Sequence, residues 1–196
     1  MVGKQQAPAA ETPLQTLVAY LEDKPGVLNR VTSLFRRRDF NIESLNVGKT
    51  NQPGVSRLTI VMRGDDATAR LVEANLYKLV NVLRVVNLTG KSIVERELAL
   101  IKLSSNTKVR KEILQMAEVF RARVVDMGTE AIVLEITGAP SKINGLIEVL
   151  DPFGIIETAR TGGLAMTRGA EPPPLDPQFV PAHVPASKRA QNLPSE

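Results

Sequence analysis

Between Thr16 and Leu88 the hydrophobic period switches from two to about 3.6 and back, twice over, and that order leaves few folds open. Leu17, Ala19 and Leu21 alternate with Val18 and Tyr20 through residues 16–22, as in a strand. The spacing then predicts a helix over 27–38, with Val27, Leu28, Val31, Leu34 and Phe35 on one face and Asn29, Arg30, Thr32, Ser33, Arg36 and Arg37 on the other. Residues 41–49 and 55–63 read as two strands joined by the turn Asn51-Gln52-Pro53-Gly54. Ala69, Val72, Leu76 and Leu79 recur at helical spacing, and residues 82–88 are β-branched enough for a fourth strand. Strand, helix, strand, strand, helix, strand is the order of the split βαβ, or ferredoxin-like, unit. Its two right-handed crossovers put both helices on one face of a four-stranded antiparallel sheet.

The same order starts again after a charged connector, residues 91–97. Leu98 to Leu103 reads as a strand, and Val109, Ile113, Met116 and Phe120 mark a helix. Residues 123–127 and 131–136 form a hairpin across Gly128-Thr129-Glu130, residues 141–150 a short helix, and residues 155–159 a last strand running toward Gly162-Gly163. The expectation is therefore an α+β chain of two ferredoxin-like (βαββαβ) domains, 14–90 and 98–170. Residues 1–13 read as a flexible leader. Residues 171–196 hold seven of the 13 prolines and few large apolar groups, as expected of a disordered tail.

Composition removes several classes of function. The chain has no cysteine, and its single histidine, His183, lies in the proline-rich tail. Disulfides, thiolate zinc sites, a cysteine nucleophile and a histidine base are thus excluded from the folded region. No apolar run approaches the roughly 20 residues that span a bilayer, which points to the cytoplasm. Net charge +4 is modest for nucleic-acid binding. Arg36-Arg37-Arg38 would close a helix favourably, and the strand Arg57-Leu58-Thr59-Ile60-Val61 lacks the aromatics on which RNA-binding sheets stack bases. The pairs Asp65/Asp66 and Glu95/Glu97 read as solvated loop charges, and Thr161-Gly162-Gly163 as a strand end rather than a phosphate loop.

The richest local signal is Glu22-Asp23-Lys24-Pro25-Gly26-Val27-Leu28, a turn leading into a helix start, with Asn41-Ile42-Glu43-Ser44-Leu45 downstream. Pro25 fixes its own φ and Gly26 lets a ligand approach the backbone. The first helical N–H groups lack intrahelical partners and carry the positive end of the dipole, so the amides of Gly26, Val27 and Leu28 could hold a carboxylate. The Asp23 side chain could accept from an ammonium, and Asn41, with donor and acceptor, is a natural second contact. The plain alternative is that Asp23 caps the helix and Pro25-Gly26 only turns the chain. In the expected topology the second strand is a sheet edge. Two copies pairing there would bring Asn41 and Ile42 of one chain toward the first turn of the other.

Residues 17–63, with the runs Glu22 to Val31, Leu34 to Leu45 and Ser56 to Val61, resemble the ACT domain of the acetolactate (acetohydroxyacid) synthase small-subunit family. Residues 78–85, 94–102, 120–122 and 159–162 resemble later signatures of that family, so the likeness spans about residues 14–169. The resemblance implies a noncatalytic regulatory subunit in branched-chain amino acid biosynthesis. It would activate a large catalytic subunit and confer feedback inhibition by valine, leaving thiamine diphosphate, magnesium and FAD to that large subunit. By motif position it implies a valine site between paired ACT domains, with Asp23, Gly26, Val27 and Leu28 from one chain and Asn41 and Ile42 from its twin. Asp23 stands where relatives often carry asparagine. The other readings are a stand-alone ACT-type amino-acid sensor for another protein, and an independent enzyme, for which no catalytic constellation is visible. For docking on the large subunit, the second domain and its charged connector are the favoured surface, because the ACT edge is committed to self-pairing.

Overall fold

A computed structural model describes residues 12–106 and 108–169; the expectations for residues 1–11 and for the tail lie outside these. The described chain divides into two compact units, residues up to Gly90 and residues from Lys91 on, except that Ser44–Asn46 group with the second.

The first unit contains β1 (Leu14–Glu22), α1 (Val27–Arg37), β2 (Ile42–Lys49), β3 (Val55–Arg63), α2 (Asp66–Leu76) and β4 (Val82–Asn87). Its sheet order is β2-β3-β1-β4, with β1 central and antiparallel to both neighbours and β2 at an edge, as expected of this topology. In the β1/β3 register Leu17 faces Ile60 and Ala19 faces Leu58, and directly opposed residues share a sheet face. That face is buried together with Val27, Val31 and Phe35 of α1 and Ala69, Val72 and Leu76 of α2. Leu28, which the periodicity places on the same helical face, is instead 42% exposed, because it sits in the first turn where the helix enters the sheet layer. Asp65 and Asp66 are not idle loop charges: Asp65 caps α2 by accepting from Thr68 N at 2.8 Å, and Asp66 begins the helix. That cap holds the Asp65 carboxyl below its ordinary range, chiefly through the Thr68 hydroxyl and amide.

The second unit repeats the order with β5 (Ile93–Ser104), α3 (Arg110–Val119), β6 (Arg123–Met127), β7 (Ala131–Gly138), α4 (Pro140–Leu150) and β8 (Ile155–Arg160). The sheet runs β6-β7-β5-β8, and Ile101, Leu103, Ile132, Leu134 and Ile136 bury against Ile113, Ile143, Leu146 and Leu150. Two expectations fail here. Most of the connector, Ile93 to Glu97, is the first half of β5, and a short strand unread in the sequence, β9 (Leu164–Thr167), pairs with it from Ile93↔Thr167 to Arg96↔Leu164. β8 takes the other half of β5, from Ala99 to Leu103, so Thr161-Gly162-Gly163 is the crossover between two strands that share one partner.

The end of β8 and that crossover explain why Glu97 is buried and Glu95 half-buried. Glu97 is 5% exposed and is clasped by Arg160 through two hydrogen bonds, at 2.8 and 2.6 Å. Arg160 Nη1 also donates to Asn144 Oδ1 at 2.8 Å, which fixes the guanidinium plane. A Cβ on Gly163 would lie 2.7 Å from Glu95 Oε1, so the glycine backbone lies directly against that carboxylate. Burial raises the Glu95 pKa, and the neighbouring Glu97 charge adds to it. The native state therefore holds this proton more tightly than the unfolded chain does. Glu95 favours the fold at acid pH and opposes it as pH rises through its raised native value. Glu95→Gln is expected to raise Tm at neutral pH, with the gain vanishing below the ordinary carboxylate range. Calorimetric melts across that pH range check both the sign and the window.

Candidate functional site

The turn from β1 into α1 is built by backbone hydrogen bonds. Asp23 N donates to Gly54 O at 2.8 Å and Lys24 N to Glu22 O at 2.9 Å, which anchors the turn beside the β2–β3 hairpin. Gly26 is the residue before the first helical turn, with φ 81° and ψ −6° in the left-handed region, and no side chain caps α1. A Cβ at Gly26 would meet nothing within 4 Å, so the space over this backbone is open. Val27 N reaches Lys24 O only at 3.4 Å, and Arg30 N closes the first turn on Gly26 O at 3.1 Å. Among the described residues the amides of Gly26, Leu28 and Asn29 have no hydrogen-bond partner. α1 has no acidic residue in its first turn, so the positive end of its dipole is unanswered.

Asp23 is not the helix cap. Its Oδ1 accepts from Ser56 Oγ at 3.2 Å, and its Oδ2 lies 3.7 Å from Lys49 Nζ, with 41% of the side chain exposed. Ser56 and Lys49 are the residues that sequence reasoning missed. Ser56 carried a usable signal, since it is a hydroxyl on the Leu58, Ile60 and Met62 face of β3, opposite Leu21 in the register. Lys49 carried none, being one cation at a strand end. Val27 is 6% exposed, so its side chain belongs to the core and only its backbone can serve a ligand; Leu28 presents an exposed apolar side chain instead.

Within one chain the six residues do not come together. β2 begins with Ile42 near the end of the sheet where Glu43 bridges Arg63 at 2.7 Å, and it finishes with Lys49 beside Asp23. Asn41 lies just before β2 rather than in it. A strand of this length spans about 25 Å, so Asn41 and Ile42 are far from the first turn of their own protomer.

A family model described as the small subunit of acetolactate synthase matches residues 96–169, and one described as an AHAS small subunit-like ACT domain matches residues 17–84. The acetolactate synthase small subunit of Mycolicibacterium smegmatis is 46% identical over 81% of this chain and 93% of its own length. The chain belongs to the acetolactate synthase small-subunit family. A probable acetolactate synthase small subunit of Archaeoglobus fulgidus is 46% identical over 79% of the chain and 96% of its own length. The crystal structure of the Thermotoga maritima small subunit superposes with a TM-score of 0.75 at 40% identity, covering 81% of this chain and 99% of that one.

The family is that of the small, noncatalytic subunit, and the chemistry of acetolactate synthesis lies on the large one. The turn and the first helix lie within the ACT domain matched over residues 17–84, and both family models fall on a βαββαβ unit of the structure. No helix among the described residues is long and apolar enough to cross a membrane.

The left-handed Gly26 yields a stability prediction. Gly26→Ala is expected to cost about 1–2 kcal/mol from the backbone alone, since the added methyl has free space. Urea unfolding measures the loss. An unchanged midpoint would show that the turn relaxes out of the left-handed region.

Proposed function

We propose that this chain is the regulatory subunit that activates the thiamine-diphosphate-dependent large subunit of acetolactate synthase and confers feedback inhibition by valine. The observation that supports a ligand site is the uncapped, left-handed start of α1 in a chain of this family. The free amides around Gly26 and Leu28 take the carboxylate, the Asp23 carboxylate answers the ammonium, and exposed Leu28 receives the apolar side chain. Two or three charge-assisted hydrogen bonds of roughly 1.5–3 kcal/mol each approach the about 8 kcal/mol of a micromolar complex, before association entropy is subtracted.

A twin chain completes the site. Antiparallel pairing of β2 with its copy, centred on the strand's midpoint, sets Ile42 of one protomer against the Lys49 end of the other. Lys49 in turn stands 3.7 Å from Asp23. Asn41 and Ile42 thereby reach the partner's first turn across a continuous eight-stranded sheet. Residues 14–90 are the ligand-binding and self-pairing domain, and the unit that begins with β5 is the second domain of the subunit. Valine bound at the seam favours one arrangement of the dimer, and the large subunit distinguishes the arrangements; binding of the large subunit must then change valine affinity by the same factor. The subunit works in the cytoplasm and needs no cofactor of its own, with thiamine diphosphate, magnesium and FAD on the large subunit.

Mixing the chain with the large subunit and measuring acetolactate formation, with and without each branched-chain amino acid, tests this reading. Stimulation by the chain and inhibition by valine are expected. Absence of any complex would favour a stand-alone amino-acid sensor. Gly26→Asp, which places a negative charge where the carboxylate belongs in a backbone region that Asp tolerates, is expected to abolish valine inhibition while sparing stimulation. Asn41→Ala is expected to weaken valine binding by a smaller factor. Calorimetry on the isolated chain would remove Asn41 from the site if its dissociation constant did not move.

A further inference from the structure

The first unit carries a surface groove of about 460 Å³ between α1 and the end of α2, which reaches the first turn of α1 at Asn29 and Arg30. Its lining includes Arg30, Arg37, Arg38 and Lys78 together with Leu34 and Leu79. The four cations are exposed, whereas the two leucines are half-buried. Among the described residues no carboxylate lines the groove and none of the four cations is ion-paired. Arg30 donates to Asn81 Oδ1 at 3.1 Å and Lys78 to Asn75 Oδ1 at 3.2 Å, so neutral amide oxygens orient these charges; Asn81 in turn donates to Glu22 Oε2 at 2.6 Å, a carboxylate that does not line the groove. Asn75 is itself 2% exposed and tied to Leu71 O at 2.7 Å, which makes it a rigid support for Lys78.

Helix electrostatics account for only part of this. Arg37 in the last turn of α1 meets the negative end of the dipole favourably. Arg30 does not, because it lies in the first turn, where a cation opposes the dipole, and α1 offers it no acidic neighbour there. Self-repulsion among four cations around one groove is a cost that the fold does not require. A compact polyanion would answer the charge yet gain nothing from Leu34 and Leu79. A peptide segment with an apolar centre and acidic flanks answers both, in the way that amphipathic helices seat in grooves. A second copy is a poor occupant, since symmetric closure would set the same cations against each other.

We infer that this basic groove docks an acid-flanked, apolar segment of the large catalytic subunit. The inference rests on the proposed regulatory role. It moves docking from the second domain to the helical layer of the ACT domain. The connector residues Ile93 to Glu97, one part of the surface that the sequence favours for docking along with the second domain, are engaged within their own sheet.

The test measures affinity of the purified large subunit for the wild-type chain and for Arg37→Glu/Arg38→Glu, over a series of salt concentrations. Reversal is expected to weaken binding by roughly tenfold or more and to flatten its salt dependence. Valine affinity of the isolated variant is expected to match wild type, which reports an intact fold. Should the reversed chain fail to fold, Lys78→Glu and Arg37→Gln/Arg38→Gln carry the same comparison, with smaller losses expected. Equal affinity at every salt concentration overturns the inference, as does a groove whose reversal alters only binding of tripolyphosphate. If the wild-type chain binds no large subunit at all, the proposed function itself fails, whereas a complex indifferent to groove charge sinks the docking surface alone.

Discussion

Each unit is organised around its first strand, which is hydrogen-bonded on both sides. β1 pairs with β3 along nine residues and with β4 on its other flank, and β5 does the same between β7 and β8. A central first strand has to leave the sheet at its end and return as a helix, because both neighbouring positions are taken by later strands. In the first unit that exit is the Asp23–Gly26 turn, and its tightness puts Gly26 in the left-handed region and leaves α1 without a side-chain cap. The free amides are thus a consequence of topology, and the sheet edge at β2 is its other consequence. The proposed ligand site joins the two.

The molecule treats its charges in two contrasting ways. Where a carboxylate is buried, as at Glu97, a guanidinium with its own amide support comes to meet it, since an unpaired buried charge would cost several kcal/mol. Where cations gather around the α1–α2 groove, the acceptors that Arg30 and Lys78 meet among the described residues are the neutral oxygens of Asn81 and Asn75. Asp23 lies between these extremes: it is half-exposed, hydrogen-bonded to Ser56 and only loosely matched by Lys49, and in the proposed site it is the group that answers the ammonium. A regulatory protein needs such unfinished electrostatics at the places where partners arrive, and finished electrostatics elsewhere.

Local pattern accounts for much of this. The 3.6-residue stripes of α1 and α2 report which side chains are buried, because one-faced burial imposes its period on the sequence, whereas β1 and β3 are buried on both faces, with Val18 and Thr59 each 1% exposed. Leu28 broke that rule, since a first-turn residue of an amphipathic helix can stand clear of the sheet its later turns cover. Ile93 to Glu97 and β9 escaped for a related reason. A charged strand whose partner is four residues long shows no clean alternation, and only its pairing with Leu164–Thr167 makes it a strand. Reading Glu97 as solvated failed, and reading Glu95 so failed in part, because burial there depends on Arg160 and Gly163, more than 60 positions along the chain.

The sequence by itself determined the order of elements in both units, the edge position of β2, and the glycine at the mouth of α1. These follow from nearest-neighbour sterics and from the period of burial, which act over a few residues. Only the tertiary structure decided that Asp23 turns away from the helix toward Ser56 and Lys49, that Glu97 is a buried ion pair, and that four cations share one groove. Those outcomes depend on which distant side chains arrive at the same point in space, and Coulomb and desolvation energies are set by that arrival, not by distance along the chain.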